Sequence, residues 1–364
     1  MEDIRIKGER TPMKKIIATL LAALMVCSLT ACGSGNTPAA SAGASASGSS
    51  QQAEAPAYPT KNIQGSIMWS AGGVCDTISR AAGLVAQEEL GQSIVFTNRA
   101  GSGGGVSTAY VNAQAADGYE LLFGAENPQI AKVMGTSELD YDDFYPICLL
   151  TNSYGGIFVA KDSKYQTLED LINDMLANPG KVVAATTGAG GLPETCATII
   201  RSISGTEPNM VPFDGENECA IAVMGGNADF AVSTLGSIAS FYQSGDIRIL
   251  AMFHNERLEG FDDVPAITEI YPEYNEILPW GPFYGVFVKL GTDQAIIDTL
   301  TAAFSKACED QEFQELVASK GCFIMNMTGD EAVEYLQKYR STTSYMLYDS
   351  GVATIDPASV GIEK

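Results

Sequence analysis

From residue 58 onward, short apolar runs alternate with amphipathic segments, a pattern typical of strands and helices that follow one another in turn. The first predicted strands are Ile63–Trp69, Ser93–Thr97 and Tyr119–Phe123. Helical spacing of apolar residues predicts a helix over Asp76–Leu90, which Gly91 ends. A second helix extends from the glycines at 101–105 to about Ala116. Three strand–helix units of this length predict a parallel sheet with right-handed crossovers.

A second run of elements begins after Pro146. Its predicted strands are Ile147–Thr151, Gly156–Ala160, Lys181–Thr186, Met210–Phe213, Asp229–Ser233 and Ile247–Phe253. A helix over Thr167–Asn178 is predicted among them, opened by a capping box of Thr167 and Asp170. Two further helices follow Pro193 and Gly215.

The C-terminal part repeats the strand-then-helix order. A strand over Phe283–Val288 is followed by predicted helices over residues 292–309, 310–319 and 329–345. We expect a second capping box, of Thr328 and Glu331, at the start of the last helix.

Three glycine-rich turns follow predicted strands. They are Ala71-Gly72-Gly73, Gly101–Gly105 and the segment Thr186–Gly191. In a wound sheet such turns bring backbone N–H groups and helix N-termini to a ligand, and both favour an anion. The alternative is that each is only a tight turn. A dinucleotide fingerprint is absent because Val106 stands where its third glycine is required, and no Walker A sequence occurs, so no nucleotide cofactor is expected.

The charge balance narrows the possible partners. The chain has 44 Asp and Glu against 21 Lys and Arg, a net charge of -23, so nucleic acid is not an expected partner. The one histidine, His254, leaves little scope for a His-based metal or catalytic site, and we expect neither.

The N-terminal region predicts export. Lys14 and Lys15 precede a short apolar run and then Ala31-Cys32, so residues 1–31 are interpreted as a signal peptide whose true start is Met13. The end of this segment resembles the lipobox of bacterial lipoproteins, with Cys32 as the lipidated residue. The alternative is an ordinary secretory signal with an incidental cysteine. Residues 32–57 are rich in Gly, Ser, Ala and Gln, so we expect a flexible tether and an extracytoplasmic body anchored to the membrane.

Six cysteines remain beyond Cys27 and Cys32, and no two of them form a CxxC pair. Disulfides and buried free thiols are both compatible with their spacing. Cys75 invites a nucleophile interpretation, but no histidine lies near it in sequence to act as its base.

Several short segments resemble, in order, the motifs of one family. Tyr58–Ile63 resembles its opening strand, Ser70–Asp76 its PFxAGGxxD loop, Asn98–Gly104 NRPGAGG, Ala116–Tyr119 PDGYT, Met224–Asp229 LLGGQVD, and Asp263–Ala266 DVPT. Each match is weak alone, but the ordered set is specific and spans nearly all of residues 58–351. The sequence thus resembles the solute receptors of tripartite tricarboxylate transporters, the TctC or Bug family.

The resemblance implies an α/β, type II periplasmic-binding-protein fold. Two wound lobes would be joined by two crossing segments, near Thr151–Tyr154 and Trp280–Phe283, with a ligand cleft between them. Lobe 1 would comprise residues 58–152 and 283–364, and lobe 2 residues 153–282.

The resemblance also implies a site for an organic acid, often a dicarboxylate, held by the glycine loops of both lobes. The candidate ligand-binding residues are Trp69, Ser70, Ala71, Gly72, Gly73, Asp76, Gly103, Glu126 and Asn127 in lobe 1, and Thr187, Gly188, Ala189, Gly190, Glu194, Phe213, Asp229 and Thr234 in lobe 2. Asp76 is expected to cap its helix rather than touch ligand. Trp69 either lines the pocket or is only an apolar residue at the end of a strand. Arg99 either attracts a carboxylate of the ligand or fixes the loop after the second strand.

The chain departs from the family pattern in its acidic residues. The family loop SSGNGTSQH corresponds to Thr186–Glu194, where Glu194 takes the histidine position. Glu126, Asp214 and Glu216 also follow predicted strands. Either these acids border the cleft and favour a ligand with a cationic amine or a chelated metal, or they are solvated rim residues on an acidic protein.

The resemblance therefore predicts a monomeric receptor that hands a small organic acid or amino-acid-like solute to a large and a small membrane subunit. Two alternatives stay open. One is a receptor of the same fold that serves an ABC transporter or a sensor kinase, and the other is an enzyme that uses Cys75 or the acidic cluster.

Overall fold

The computed structural model describes residues 58–187, 192–213, 215–278 and 280–364, without the side chains of residues 194, 202, 203 and 276. The predicted signal peptide, Cys32 and the tether lie outside the described residues. The strands are β1 (Ile63–Ile67), β2 (Ile94–Asn98), β3 (Glu120–Ala125), β4 (Phe144–Ser153), β5 (Gly155–Ala160), β6 (Val183–Thr186), β7 (Asn209–Pro212), β8 (Phe230–Thr234), β9 (Ile247–Met252), β10 (Phe283–Lys289) and β11 (Cys322–Met327). The helices are α1 (Val74–Leu90), α2 (Gly105–Asn112), α3 (Leu168–Ala177), α4 (Leu192–Ser204), α5 (Glu216–Met224), α6 (Leu235–Gln243), α7 (Ile267–Ile270), α8 (Gln294–Glu309), α9 (Gln311–Ser319) and α10 (Gly329–Asp349).

The first sheet has the order β11-β4-β10-β3-β1-β2. Strands β2, β1 and β3 are parallel, as predicted, whereas β10, β4 and β11 are antiparallel to their neighbours. Leu121, Leu122 and Phe123 of the central strand β3 are all fully buried. A strand buried on both faces is typical of a sheet covered by helices on each side.

The second sheet has the order β7-β6-β8-β5-β9, with β7, β6 and β8 parallel and β5 antiparallel to both of its neighbours. Each sheet therefore consists of a wound parallel part extended by antiparallel strands. This is the two-sheet α/β fold that the sequence predicts.

The chain passes between the sheets at two places that contact each other. Only Tyr154 separates β4 of the first sheet from β5 of the second. The return to β10 runs beside this link, where the N–H of Ser153 donates to the carbonyl of Pro282 at 2.9 Å. A Cβ on Gly281 would lie 2.0 Å from the carbonyl oxygen of Ser153, so only glycine permits this approach.

The predicted elements differ from the observed ones in identifiable ways. The strand predicted at Ile147–Thr151 is longer in the structure, where it forms part of β4 of the first sheet. The capping box of Thr167 and Asp170 is confirmed, whereas the one expected at Thr328 is wrong, because the Thr328 side chain makes no capping hydrogen bond. Strand β11 and helices α6 and α7 were not predicted. None of the helices in the described part of the chain has the length and apolar character needed to cross a membrane.

The six cysteines of the described residues are free and buried. The closest pair of sulfurs belongs to Cys148 and Cys308, at 4.0 Å. The spacing of the cysteines was compatible with disulfides and with buried free thiols, and in the structure they are buried free thiols.

Candidate functional site

A cavity of about 500 Å³ is lined by residues from both sheets. The first-sheet side contributes Trp69, Gly73, Val74, Cys75, Gly103, Ala125, Glu126, Asn127, Pro282 and Tyr284. The second-sheet side contributes Thr187, Leu192, Gly215, Glu216, Asn217, Glu218, Thr234 and Ser237. Most of these residues follow the carboxyl end of a parallel strand, which is where wound sheets bind ligands.

Several helices begin at the cavity wall. Helices α1, α5 and α6 have Gly73, Gly215 and Thr234 at their N-caps, and none of these three caps the helix with its side chain. The first N–H groups of a helix have no partner within the helix, and the N-terminus carries a partial positive charge. The cavity thus presents backbone donors suited to an anionic group.

The loop between β1 and α1 is held by the buried carboxylate of Asp76. This carboxylate accepts hydrogen bonds from the Gly72 N–H at 2.9 Å, from Arg80 Nε at 2.7 Å and from Asn98 Nδ2 at 2.9 Å. Burial alone would raise the pKa of Asp76, but these bonds outweigh burial and the pKa lies below its usual range. Asn98 also donates to the Trp69 carbonyl at 2.8 Å, so the same network positions Trp69 at the cavity.

Asp76 is the third residue of α1, and Gly73 is the N-cap. The expectation that Asp76 caps its helix is therefore wrong in its geometry, because the carboxylate bonds back to the preceding loop instead. Arg99 is also a loop-fixing residue: it donates to Ser66 Oγ at 3.1 Å and lies over the Tyr110 ring at 3.6 Å, away from the cavity lining.

Three glutamates line the cavity: Glu126 on the first-sheet side, and Glu216 and the exposed Glu218 on the second-sheet side. Glu126 follows β3 and is partly buried, and Glu216 is the first residue of α5. Burial, together with the negative charge of Glu216, raises the pKa of Glu126 to about 7. Of the two earlier interpretations of the acids, these two residues fit the cleft-lining one.

Glu216 is oriented by Thr234. Its Oε2 accepts the Thr234 N–H at 2.8 Å and the Thr234 hydroxyl at 2.7 Å. The same hydroxyl lies 3.0 Å from Ser237 Oγ. The N-termini of α5 and α6 are thereby joined across the second-sheet side of the cavity.

Cys75 lines the cavity but has the wrong chemistry for a nucleophile. Burial, with a smaller effect of the charges of Glu126 and Asp76, raises the pKa of its thiol to about 12, although a hydrogen bond with Ser79 acts to lower it. A thiolate is the reactive form of cysteine, so this thiol is unreactive at neutral pH. The described residues contain no group of three or more His, Cys, Asp or Glu side chains placed to hold a metal ion.

The structure brings some of the predicted site residues together. Those that line the cavity are Trp69, Gly73, Gly103, Glu126, Asn127, Thr187 and Thr234. Those placed elsewhere are Ser70, Ala71 and Gly72, exposed in the β1–α1 loop, together with Asp76, Phe213 and Asp229. The Asp229 carboxylate accepts the N–H of Val183 at 2.8 Å. Gly188, Ala189, Gly190 and the side chain of Glu194 lie outside the described residues. Ligand contact by any of these residues stays a prediction.

Other lining residues were not among the candidates. Glu216 was expected only as an acid that could border the cleft. Its neighbours Gly215, Asn217 and Glu218 could have been found by extending the helix N-terminus argument to the helix predicted after Gly215. Ser237 belongs to α6, which the sequence pattern did not show. Pro282 and Tyr284 lie near a predicted crossing, and no local sequence pattern indicates that the start of this strand lines a cavity.

Comparison with known proteins agrees with this architecture. The family model described as "Tripartite tricarboxylate transporter family receptor" (TctC) matches residues 78–348. Protein BugT of Bordetella pertussis is 27% identical over 279 residues, covering 75% of this chain and 84% of BugT.

Solved structures show the same fold. A TctC solute binding protein from Polaromonas superposes with a TM-score of 0.69 at 22% identity, covering 80% of this chain and 100% of that one. MatC from Rhodopseudomonas palustris, solved with bound malate, superposes with a TM-score of 0.70 at 21% identity, with the same coverage of 80% and 100%. Taken with the cavity and the two sheets, these matches show that the chain belongs to the tripartite tricarboxylate transporter receptor family, a family of extracytoplasmic solute-binding proteins rather than enzymes.

Proposed function

We propose that this protein captures a small organic acid outside the cytoplasm and delivers it to the large and small membrane subunits of a tripartite tricarboxylate transporter. The observation that carries the proposal is the convergence of helix N-termini from both sheets on one cavity. Backbone donors at helix N-termini bind carboxylates without needing a basic side chain. The malate bound by MatC supports the same ligand class.

Capture would proceed by closure of two lobes, residues 58–152 with 283–364 and residues 153–282. The ligand would join donors of both sheets, so it binds the closed form more tightly and shifts the population toward it. The paired crossings at Ser153 and Pro282 are the natural hinge, because few residues there connect the sheets. No bond of the ligand is made or broken.

Binding is tested by thermal shift with a panel of mono-, di- and tricarboxylates. A ligand that binds only the folded protein raises the melting temperature by mass action, by about 2.7 kcal/mol of stability at a hundredfold excess over Kd. The variant Asn217→Trp places a large ring on an exposed lining residue and should abolish the shift. Gln311→Trp, at the exposed start of α9, is the matched control and should keep it.

A melting temperature that no carboxylate changes would contradict the proposed ligand class. Equal shifts in the two tryptophan variants would contradict this cavity as the binding site. Turnover of a bound acid would instead support an enzyme. Delivery is tested separately by transport into cells that carry the membrane subunits, with and without this receptor. An ATPase or a sensor kinase encoded beside this protein, in place of a large and a small membrane subunit, would favour the other receptor types.

Anchoring through Cys32 is tested by detergent phase separation. The wild-type protein should partition into the detergent phase and Cys32→Ser into the aqueous phase, because the lipid supplies the membrane affinity. Equal partitioning of the two would mean that the segment is an ordinary secretory signal.

A further inference from the structure

The charge of the cavity is unusual for a site that receives an anion. Glu126, Glu216 and the exposed Glu218 line it, and no Lys, Arg or His is among its described lining residues. Glu126 and Glu216 influence each other electrostatically, since the charge of Glu216 acts on the titration of Glu126. A ligand that is only an anion would meet these carboxylates with no cation among the described lining residues, a situation that disfavours binding.

The carboxylate of Glu216 is fixed by two hydrogen bonds from Thr234. Both hydrogen bonds from Thr234 go to one oxygen, Oε2, and the described residues show none to its Oε1. The carboxylate is thereby fixed in orientation, at the start of α5, where a negative charge is stabilised by the helix dipole. A carboxylate fixed in this way is a preorganised acceptor.

A second observation points to a ligand beside these acids. Tyr284 is 8% exposed and lines the same cavity, and its hydroxyl has no hydrogen-bond partner within the part of the chain that the structure describes. The hydroxyl is not among the fully buried atoms without a partner, so on this largely buried side chain it keeps accessible surface and is open to a ligand in the cavity. Burial is the main cause that keeps the pKa of Tyr284 well above its usual range, and nearby charges, including those of Glu126 and Glu216, add to it. The hydroxyl is therefore neutral and can accept a hydrogen bond.

We propose that the ligand of this receptor carries a protonated amine, which binds between Glu126 and Glu216 beside Tyr284 while its carboxylate meets the helix N-termini. The ligand class is therefore an amino-bearing organic acid, and this assignment rests on the proposed function as a solute receptor. An ammonium has three N–H donors and matches two carboxylates and a hydroxyl as acceptors. The aromatic ring of Trp69 at the same cavity suits a cationic group as well. A metal-chelated acid fits less well, because the described residues offer no group of three metal-ligating side chains.

The test compares ligands that differ in one group. Aspartate, malate and succinate share a four-carbon diacid and differ in an ammonium, a hydroxyl or a hydrogen at one carbon; 4-aminobutyrate and glutarate place the ammonium or a second carboxylate at the chain end. Isothermal titration at pH 7.5 in the presence of EDTA should show an amino acid of one series bound at least tenfold more tightly than its non-amino partners. The preference should be lost in Glu126→Gln and in Glu216→Gln, and Tyr284→Phe should weaken the amino ligand severalfold.

Glu89→Gln is the matched control, because Glu89 is an exposed carboxylate of α1 that does not line the cavity. It removes the same charge and should leave the preference within twofold. The two glutamines keep the shape of the side chains, and unliganded melting temperatures establish that each variant is folded. If one fails to fold, the other decides.

The outcomes separate this inference from the function beneath it. Diacids that bind as tightly as amino acids, or a preference that survives both glutamine variants, would overturn the amine subsite and leave the receptor intact. Binding that requires Mg²⁺ or Ca²⁺ would overturn it in favour of a chelated acid. Failure of every acid, amino or not, to bind would overturn the proposed function itself.

Discussion

The protonation of Glu126 should control the stability of the unliganded protein. The pKa of this carboxyl is raised from its ordinary 4.5 to about 7, by burial and by the charge of Glu216. The folded state thus holds the proton more tightly than the unfolded chain. The contribution of Glu126 to stability is greatest below pH 4.5 and falls as the pH rises toward 7, because the unfolded chain has already lost a proton that the folded protein still keeps.

The size of the effect follows from the two pKa values. Each pKa unit corresponds to about 1.4 kcal/mol, so the interval from 4.5 to about 7 amounts to about 3 kcal/mol of stability lost between acidic and mildly alkaline pH. Glu126→Gln keeps the shape and cannot ionise. We expect its stability relative to the wild type to rise by about this amount between pH 4.5 and pH 8.5.

The measurement is urea unfolding of both proteins, without ligand, at several pH values in that interval. Glu218→Gln is the control for removing an exposed carboxylate and should change stability by less than about 0.5 kcal/mol. A difference between Glu126→Gln and the wild type that is the same at every pH would refute the reasoning, since it would mean that Glu126 ionises alike in the folded and unfolded states.

Three further predictions concern the framework of the site. Asp76→Ala removes the acceptor of three hydrogen bonds and should cost about 2–3 kcal/mol in urea unfolding, with weaker ligand binding; an unchanged unfolding midpoint would show that the loop holds without it. Gly281→Ala places a methyl group 2.0 Å from the Ser153 carbonyl oxygen and should destabilise the folded protein by about 2 kcal/mol. The control Gly105→Ala, at an ordinary helical position 3.4 Å from its nearest neighbour, should be neutral or stabilising. Equal melting temperatures of the two variants would contradict the close packing of the crossings. The six buried cysteines should resist alkylation in the native protein and all react after unfolding without a reductant, and a peptide map that shows any disulfide among them would contradict the free thiols.

Much of the secondary structure was predictable because local chemistry encodes it. The Thr167 capping box, the glycine that ends α1 in a left-handed conformation, and the buried apolar run of β3 are each signals of a few consecutive residues. The parallel order of β2, β1 and β3 also follows from chain order, because a strand–helix–strand unit returns in the same direction. Strand β11 and helices α6 and α7 were missed, and β11 forms only by pairing with β4, which is distant in sequence.

The candidate site was predictable only in part. The residues after β1, β3, β6 and β8 could be listed from the rule that ligands bind at the carboxyl ends of parallel strands. The sequence could not predict whether Asp76 faces the ligand or its own loop, because its hydrogen bonds with Arg80 and Asn98 depend on how α1 packs beside β2.

The sequence by itself determined the wound α/β architecture, the glycine turns and the family motifs, since these depend on neighbouring residues and their spacing. Only the tertiary structure decided that Glu126, Glu216 and Tyr284 line one cavity, although 158 positions separate the first from the last in the chain. The physical reason is that burial and Coulomb interactions depend on distance in space. The charge of Glu216 affects Glu126 because two separate sheets place their strand ends at the same cavity.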